Sequence, residues 1–335
     1  MKRIFTLLFA VLTATTIMAQ MHGPMKFVGA SNMTVSTMSN DNPSDTILFA
    51  MNGMESGNIT LPAMKGMQTI PSFTISGAKF TLGENHVVTF ADQTFSTKVT
   101  VNGAEKKITG TSLSGTYNMA DNSLMLTVVF QYGKMPFPMT YTVKGYYVKA
   151  VSNPITVTVG GQFTYNNDNV TYELRRYKDG ETDKLDVAVP SYTLANTIMG
   201  DLTLGSYTVK GLVYDEAQGG YYRDYKNDGL KFHFTAVNGG VTTMDKDYEF
   251  AAGKANNILV KYEGSNVSSI VNTFQMGAMP FGIVSVFSAP ATSIEGVNAS
   301  ATAPADGRTY NLAGQRVDNN YKGIVIVNGK KYLRK

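Results

Sequence analysis

The chain has 335 residues, with 43% apolar, 16% charged and a formal net charge of +4. The apolar share suits a folded protein rather than a disordered one, and the charged share is low against roughly 25% in ordinary soluble domains. It contains no cysteine, no tryptophan and three histidines. That excludes disulfides, cysteine-held iron–sulfur and zinc sites, covalently attached c-type haem, a cysteine nucleophile and a lipid anchor on an N-terminal cysteine.

Residues 1–19 read as a secretory signal peptide. Lys2 and Arg3 form a basic start, Ile4 to Leu12 a short apolar core, and small residues lead to a cleavage point at Ala19-Gln20. The apolar stretch is too short to span a bilayer, and no later stretch approaches eighteen continuous apolar residues, so no transmembrane helix is expected. Removing Lys2 and Arg3 leaves a nearly neutral chain without a Lys/Arg stripe, which argues against nucleic acid as a partner. The expected location is outside the cytoplasm: extracellular, cell-surface or periplasmic.

The body reads as strands. Thr, Val, Tyr, Phe and Ile recur in short runs of period two, as in Ile155 to Val159, Ser206 to Val209 and Leu230 to Val237. Turn pairs are dense: Asn52-Gly53, Asn102-Gly103, Asp179-Gly180, Asp228-Gly229, Asn238-Gly239 and Asn328-Gly329. Each suits the positive φ angles of a tight hairpin. No helix-period segment follows the signal peptide. Many short strands at even spacing predict antiparallel barrels or sandwiches, with closure removing exposed edges.

An internal repeat divides this body. Phe130 to Phe137 and Phe274 to Phe281 share the pattern F-Q-x-G-x-M-P-F, 144 residues apart. Val101-Asn102-Gly103 matches Val237-Asn238-Gly239 at 136 residues, and Ile59 to Pro62 resembles Val187 to Pro190 at 128. The order is kept and the spacing grows twice by eight, so two copies of one domain are expected over 27–149 and 150–288. The competing reading is one large sandwich with coincidental matches.

The segment Leu61 to Gly77, with its Ile70-Pro71-Ser72-Phe73 run, and the late Gly-x-Met-Pro-Phe strand resemble the calycin-like, lipocalin-like domains of secreted Bacteroidetes proteins. The opening of the second copy, Ile155 to Leu174, resembles the first hairpin of that family. Copy two lacks the Ile-Pro-Ser-Phe run and has Ile198-Met199-Gly200-Asp201 near that place. The resemblance implies an eight-stranded up-and-down barrel with an apolar cavity. The fold expected is therefore all-β: two consecutive antiparallel lipocalin-like barrels plus a small C-terminal β module.

Residues 289–307 are rich in Ala, Ser, Thr and Pro and read as a linker. Residues 308–335 read as short strands at 308–311, 315–317 and 323–327, the last pairing with 330–334 across Asn328-Gly329. This module resembles the C-terminal sorting domains of exported Bacteroidetes proteins, which implies an encounter with secretion machinery. Lys330, Lys331, Arg334 and Lys335 make its end basic. The alternative is a β tail that packs on the second barrel.

Catalytic chemistry is sparse. Nothing around His86 or His233 has a nucleophile-elbow pattern, and His22 lies beside the cleavage point. The Asp/Asn clusters at 41–45 and 166–169 lack the glycine and distal glutamate of a calcium loop. No phosphate loop precedes a helix. No catalytic, metal or cofactor-binding residues are assigned, and no cofactor is expected. Paired carboxylates remain open, because their spacing is spatial.

Two features point to binding. Methionines concentrate before residue 140, and Met135, Phe137, Met279 and Phe281 are expected at the mouths of the two barrels, where thioethers adapt to apolar ligands. Ordinary core filling is the competing explanation. A tyrosine-rich loop in copy two carries Tyr221, Tyr222 and Tyr225, suited to a surface glycan or protein, the competing reading being a tyrosine-decorated hairpin without a ligand. The first functional reading is an exported, non-enzymatic protein holding a small apolar or amphipathic ligand. The second is an adhesion or structural module that binds glycan or protein. A hydrolase is the third.

Overall fold

The computed structural model describes residues 23–65, 69–83, 86–277 and 279–288, and four strands nearer the C-terminus. The expected signal peptide, the 289–307 linker and the Asn328-Gly329 turn lie outside the described residues. The chain divides into two compact units, 1–288 and 289–335. Every element among the described residues is a strand, as the period-two pattern predicts.

The strands of the first core are β1 (Met25–Val35), β2 (Met38–Met51), β3 (Ser56–Leu61), β4 (Met64–Lys65), β5 (Thr69–Ile70), β6 (Phe73–Lys79), β7 (Thr81–Leu82), β8 (Val87–Val101), β9 (Ala104–Asn118), β10 (Ser123–Tyr132) and β11 (Met139–Val159). The ladders β1–β2–β3–β6 and β8–β9–β10–β11–β1 make an eight-stranded ring. Between β6 and β8 the closure is made by a side chain. Gln93 Oε1 accepts from the Lys79 N–H (2.8 Å) and Gln93 Nε2 donates to the Lys79 carbonyl (2.7 Å), imitating a ladder step.

The second ring begins on the same β11 and continues with β12 (Phe163–Asp179), β13 (Thr182–Val189), β14 (Tyr192–Thr197), β15 (Gly200–Leu204), β16 (Tyr207–Asp215), β17 (Gly220–Asp224), β18 (Lys231–Asn238), β19 (Val241–Glu249), β20 (Asn257–Glu263), β21 (Asn266–Phe274) and β22 (Ile283–Ser288). Its order is β11–β12–β13–β16–β17–β20–β21–β22, and β22 pairs back on β11, so every step is a ladder. Strands β14, β15, β18 and β19 form a separate four-stranded sheet. In the first ring the same two chain positions hold the small hairpin β4–β5 and the outer ends of β8 and β9. Where β8 bends through register shifts between Phe90 and Phe95, the second ring breaks into β17 and β18.

β11 is one strand of 21 residues, and the expected boundary at 149/150 falls inside it. Its first half pairs with β1 and β10, its second with β12 and β22. Two polar contacts span the junction: Lys26–Glu173 at 2.7 Å, and Arg175 donating to the Val28 carbonyl at 3.1 Å.

Alternation places one face of each strand inside. In β1 the inward residues are Met25, Phe27, Gly29, Ser31, Met33 and Val35. The first core stacks Phe49 edge-on to Phe80 and Phe90, and Phe73 to Phe130. The second packs Tyr207, Phe232 and Phe274 around Phe250. Each large apolar side chain buried this way contributes about 1.5–3 kcal/mol. Eight strands enclose little more than their own side chains, so both interiors are filled at these places. The outward positions of β8 are Thr89, Ala91, Thr94, Ser96, Lys98 and Thr100, all exposed. A lipid-facing barrel has the opposite pattern.

The turn pairs fold in different ways. Asn102 and Gly103 both take positive φ (50° and 78°), as a two-residue hairpin turn requires. Two expected turns shift by one residue. Asp179 pairs with Thr182 and Asn238 with Val241, so the turning residues are Gly180-Glu181 and Gly239-Gly240. Asn52-Gly53 lies in a four-residue connection, and Asp228-Gly229 links β17 to β18, which are not paired.

In the C-terminal unit, β23 (Thr309–Asn311), β24 (Arg316–Val317), β25 (Gly323–Val327) and β26 (Lys330–Arg334) form one antiparallel sheet in the order β24–β23–β25–β26. These match the expected strands to within a residue.

Candidate functional site

The F-Q-x-G-x-M-P-F motif builds the same turn twice. Phe130, two residues before the end of β10, and Phe274, the last residue of β21, lie inside the cores. The Gln131 Nε2 donates to the Met135 carbonyl and the Gln275 Nε2 to the Met279 carbonyl, both at 2.5 Å. The Gly133 N–H donates to Lys107 O (2.8 Å) and the Gly277 N–H to Glu249 O (2.9 Å). Met135 and Met279 then pack against their cores, while Phe137 and Phe281 are each about half exposed. Methionine and phenylalanine thus face opposite ways, and the motif's evident work is turn construction.

The tyrosine-rich stretch is not a decorated loop, contrary to expectation. Residues 220–224 form β17, and strand alternation turns Tyr221 inward. Tyr225, just beyond it, is buried in the second core and donates to Asn272 Oδ1 at 2.8 Å. Tyr222 is half-buried on the other face.

Tyr221 instead helps to wall a cleft of about 630 Å³ at one end of the second ring. The β12–β13, β16–β17 and β20–β21 connections converge there, facing the middle of β11 and Asn122 from the β9–β10 turn. Leu174 and Leu185, both core residues, form the floor. Tyr147, Tyr214, Tyr221 and Tyr262 form the walls. Tyr221 meets Tyr214 and Tyr262 edge-on, with ring centroids 5.8 and 5.9 Å apart. Gly220 makes the wall thin: a Cβ there would lie 2.6 Å from the Val260 carbonyl oxygen.

The lip is ionic. Arg176 Nε donates to Asp183 Oδ1 (3.0 Å) and Oδ2 (2.8 Å), a second guanidinium nitrogen also meets Oδ2, and the Tyr221 hydroxyl donates to the same oxygen at 2.8 Å. The Arg176 guanidinium lies 5.5 Å from the Tyr221 ring centroid. Arg176 chiefly, and the Tyr221 hydroxyl with it, hold the Asp183 carboxyl below its usual range against the opposing effect of burial. Burial, then the bond to Asp183, pushes the Tyr221 hydroxyl upward. Lys149 donates to the Ser265 carbonyl at 3.0 Å on the far side. The arrangement offers an apolar base, aromatic walls and a neutralised rim.

Sequence reading missed Arg176, Asp183, Leu174, Leu185, Tyr147 and Tyr262. One signal was present: Arg176 and Asp183 flank the Asp179-Gly180 turn, and a hairpin there brings them together.

Other polar clusters are separate. His233 sits exposed between Asp245 (2.9 Å from Nε2) and Asp247 (2.9 Å from Nδ1) on the β18–β19 hairpin. Asp45, nearly buried in the first ring, accepts from Ser31 (2.5 Å), Asn42 (2.6 Å) and Tyr141 (2.9 Å). Among the described residues no group of three His, Cys, Asp or Glu is placed to hold a metal ion.

Residues 25–146 match the family model of the calycin-like beta-barrel domain. No curated protein matches the chain. Among solved structures, a "putative outer membrane protein" from Bacteroides fragilis NCTC 9343 is similar over 78% of this chain and 94% of its own, with 15% identity and a TM-score of 0.25. The matched residues run from β1 into β11, so the likeness to that family's domain falls on the first ring.

Proposed function

We propose that this is an exported binding protein built from two calycin-like barrels, and that it holds a small amphipathic molecule at the tyrosine-walled mouth of the second. The observation that carries this reading is the floor of Leu174 and Leu185 beneath four tyrosines and a closed ion pair. An apolar portion gains about 25 cal/mol for each Å² it buries on such a floor, and the rim supplies hydrogen bonds. The protein binds rather than transforms: Arg176 and Asp183 are committed to each other and to the Tyr221 hydroxyl, so neither is poised to move a proton.

Tandem duplication is supported by the common strand order and by the motif's matching hydrogen bonds in both copies. Export is supported by the basic and apolar N-terminal segment, and the basic C-terminal module serves sorting or surface attachment. The test is titration with neutral N-phenyl-1-naphthylamine, read cleanly because the chain has no tryptophan. Saturable 1:1 binding is expected, weakened about tenfold, or 1.4 kcal/mol, by Tyr221→Ala and by the exposed Tyr214→Ala. Absence of saturable binding, or affinity unchanged in both variants, overturns the proposal.

A further inference from the structure

We propose that the motif turn of the first barrel is a second binding site, for a sulfate or phosphate ester on a small molecule. A hollow of about 630 Å³ lies between the start of β9 and the turn after β10. Lys106, Lys107 and Lys134 line it, and none of the three enters an ion pair among the described residues. Glu105 also lines the hollow and is already paired with Lys98 at 2.7 Å. Lys106 Nζ is held 5.1 Å from the centroid of the Tyr132 ring. Tyr132 is only 2% exposed, and its hydroxyl lacks a hydrogen-bond partner among the described residues. Met135 and Pro136 complete the hollow with apolar surface.

The second barrel supplies the control. Its matching turn makes the same glycine-to-carbonyl bond, to Glu249 in place of Lys107. Counting from those anchors, Tyr248 stands for Lys106, Met276 for Tyr132 and Ala278 for Lys134. The turn therefore forms without any of the three lysines. Unpaired lysines lining one hollow favour a multiply charged oxyanion, which accepts charge-assisted hydrogen bonds from them. The Met135–Pro136 surface favours an anion carried on a ring or apolar body over a fully hydrated free ion.

The test uses the full chain carrying ¹³C-methyl methionine, since Met135 lines this hollow and Met279 occupies the matching turn of the second barrel. Inorganic phosphate, inorganic sulfate, glucose 6-phosphate and glucose 6-sulfate are titrated at ionic strength held constant with sodium chloride. The Met135 methyl should shift saturably while Met279 stays still, and the inorganic and sugar arms separate a free anion from an ester. Lys106→Glu with Lys134→Glu should weaken binding at least tenfold, and Lys106→Gln about threefold, with the remaining methionine signals unmoved. Equal shifts at Met135 and Met279, no saturation, or survival of the Met135 shift in the double variant overturns the site.

Discussion

The two rings share a strand order but differ in what fills them. Two residues before the motif phenylalanine stands Val128 in the first ring and Asn272 in the second, both fully buried. Two residues after the proline that follows the third strand stands Met64 or Tyr192, and the partner of that strand's last residue is Phe73 or Tyr207. The second interior is accordingly wired with polar groups. Asn272 accepts from Tyr225 (2.8 Å) and donates to Tyr207 (2.6 Å). Burial pushes the Tyr172 hydroxyl up to about 12 and that of Tyr192 well above 10. The first ring holds one comparable polar cluster, on Asp45. The same backbone plan thus accepts either filling: Asn272 partners the Tyr207 and Tyr225 hydroxyls, while those of Tyr172 and Tyr192 stay buried without a partner among the described residues.

This comparison can be broken most forcefully at the motif itself. Phe130→Ala and Phe274→Ala should each cost about 3–5 kcal/mol, with loss of amide-exchange protection confined to the altered ring. Equal loss in both rings would mean that the shared β11 makes the pair one cooperative unit. Exchanging the fillings should cost less. Asn272→Val, which installs the first ring's residue, strands the Tyr207 and Tyr225 hydroxyls at about 1–3 kcal/mol each. A denaturant midpoint that stays put or rises would show that the network contributes nothing.

The smallest effect concerns the sheet found only beside the second ring. Asp247 chiefly, with Asp245, raises the His233 pKa above its usual 6.5, against the opposing effect of desolvation. A raised folded-state value means that the pairing stabilises the hairpin fully below pH 6.5 and is lost as pH rises through the raised value. An NMR titration of His233 should give a midpoint above 6.5 that falls back in Asp247→Asn. A midpoint at or below 6.5 in the unaltered protein would remove the clamp.

Much of the fold was legible because a half-buried strand writes its faces into the sequence. The inward set of β1 is its odd-numbered residues, and the C-terminal strands appear where their apolar runs stand. The repeated turn was legible because it needs the same glutamine, glycine and methionine at both places. The candidate site was scarcely legible. Tyr221 announced an aromatic strand as loudly as an aromatic loop, since composition does not report which way a residue points.

The sequence alone determined that the chain is all-β, carries one turn motif twice and ends in short strands, because period-two alternation, turn residues and repeated motifs are local properties. Only the tertiary structure decided that one strand serves both rings, that the second apolar interior carries the Asn272 polar network, and that Leu174, Arg176, Asp183, Tyr221 and Tyr262 meet at one mouth. Those facts depend on which turns close side by side when a sheet curls into a ring. That closure is set by pairing between strands far apart in the chain, which no local pattern records.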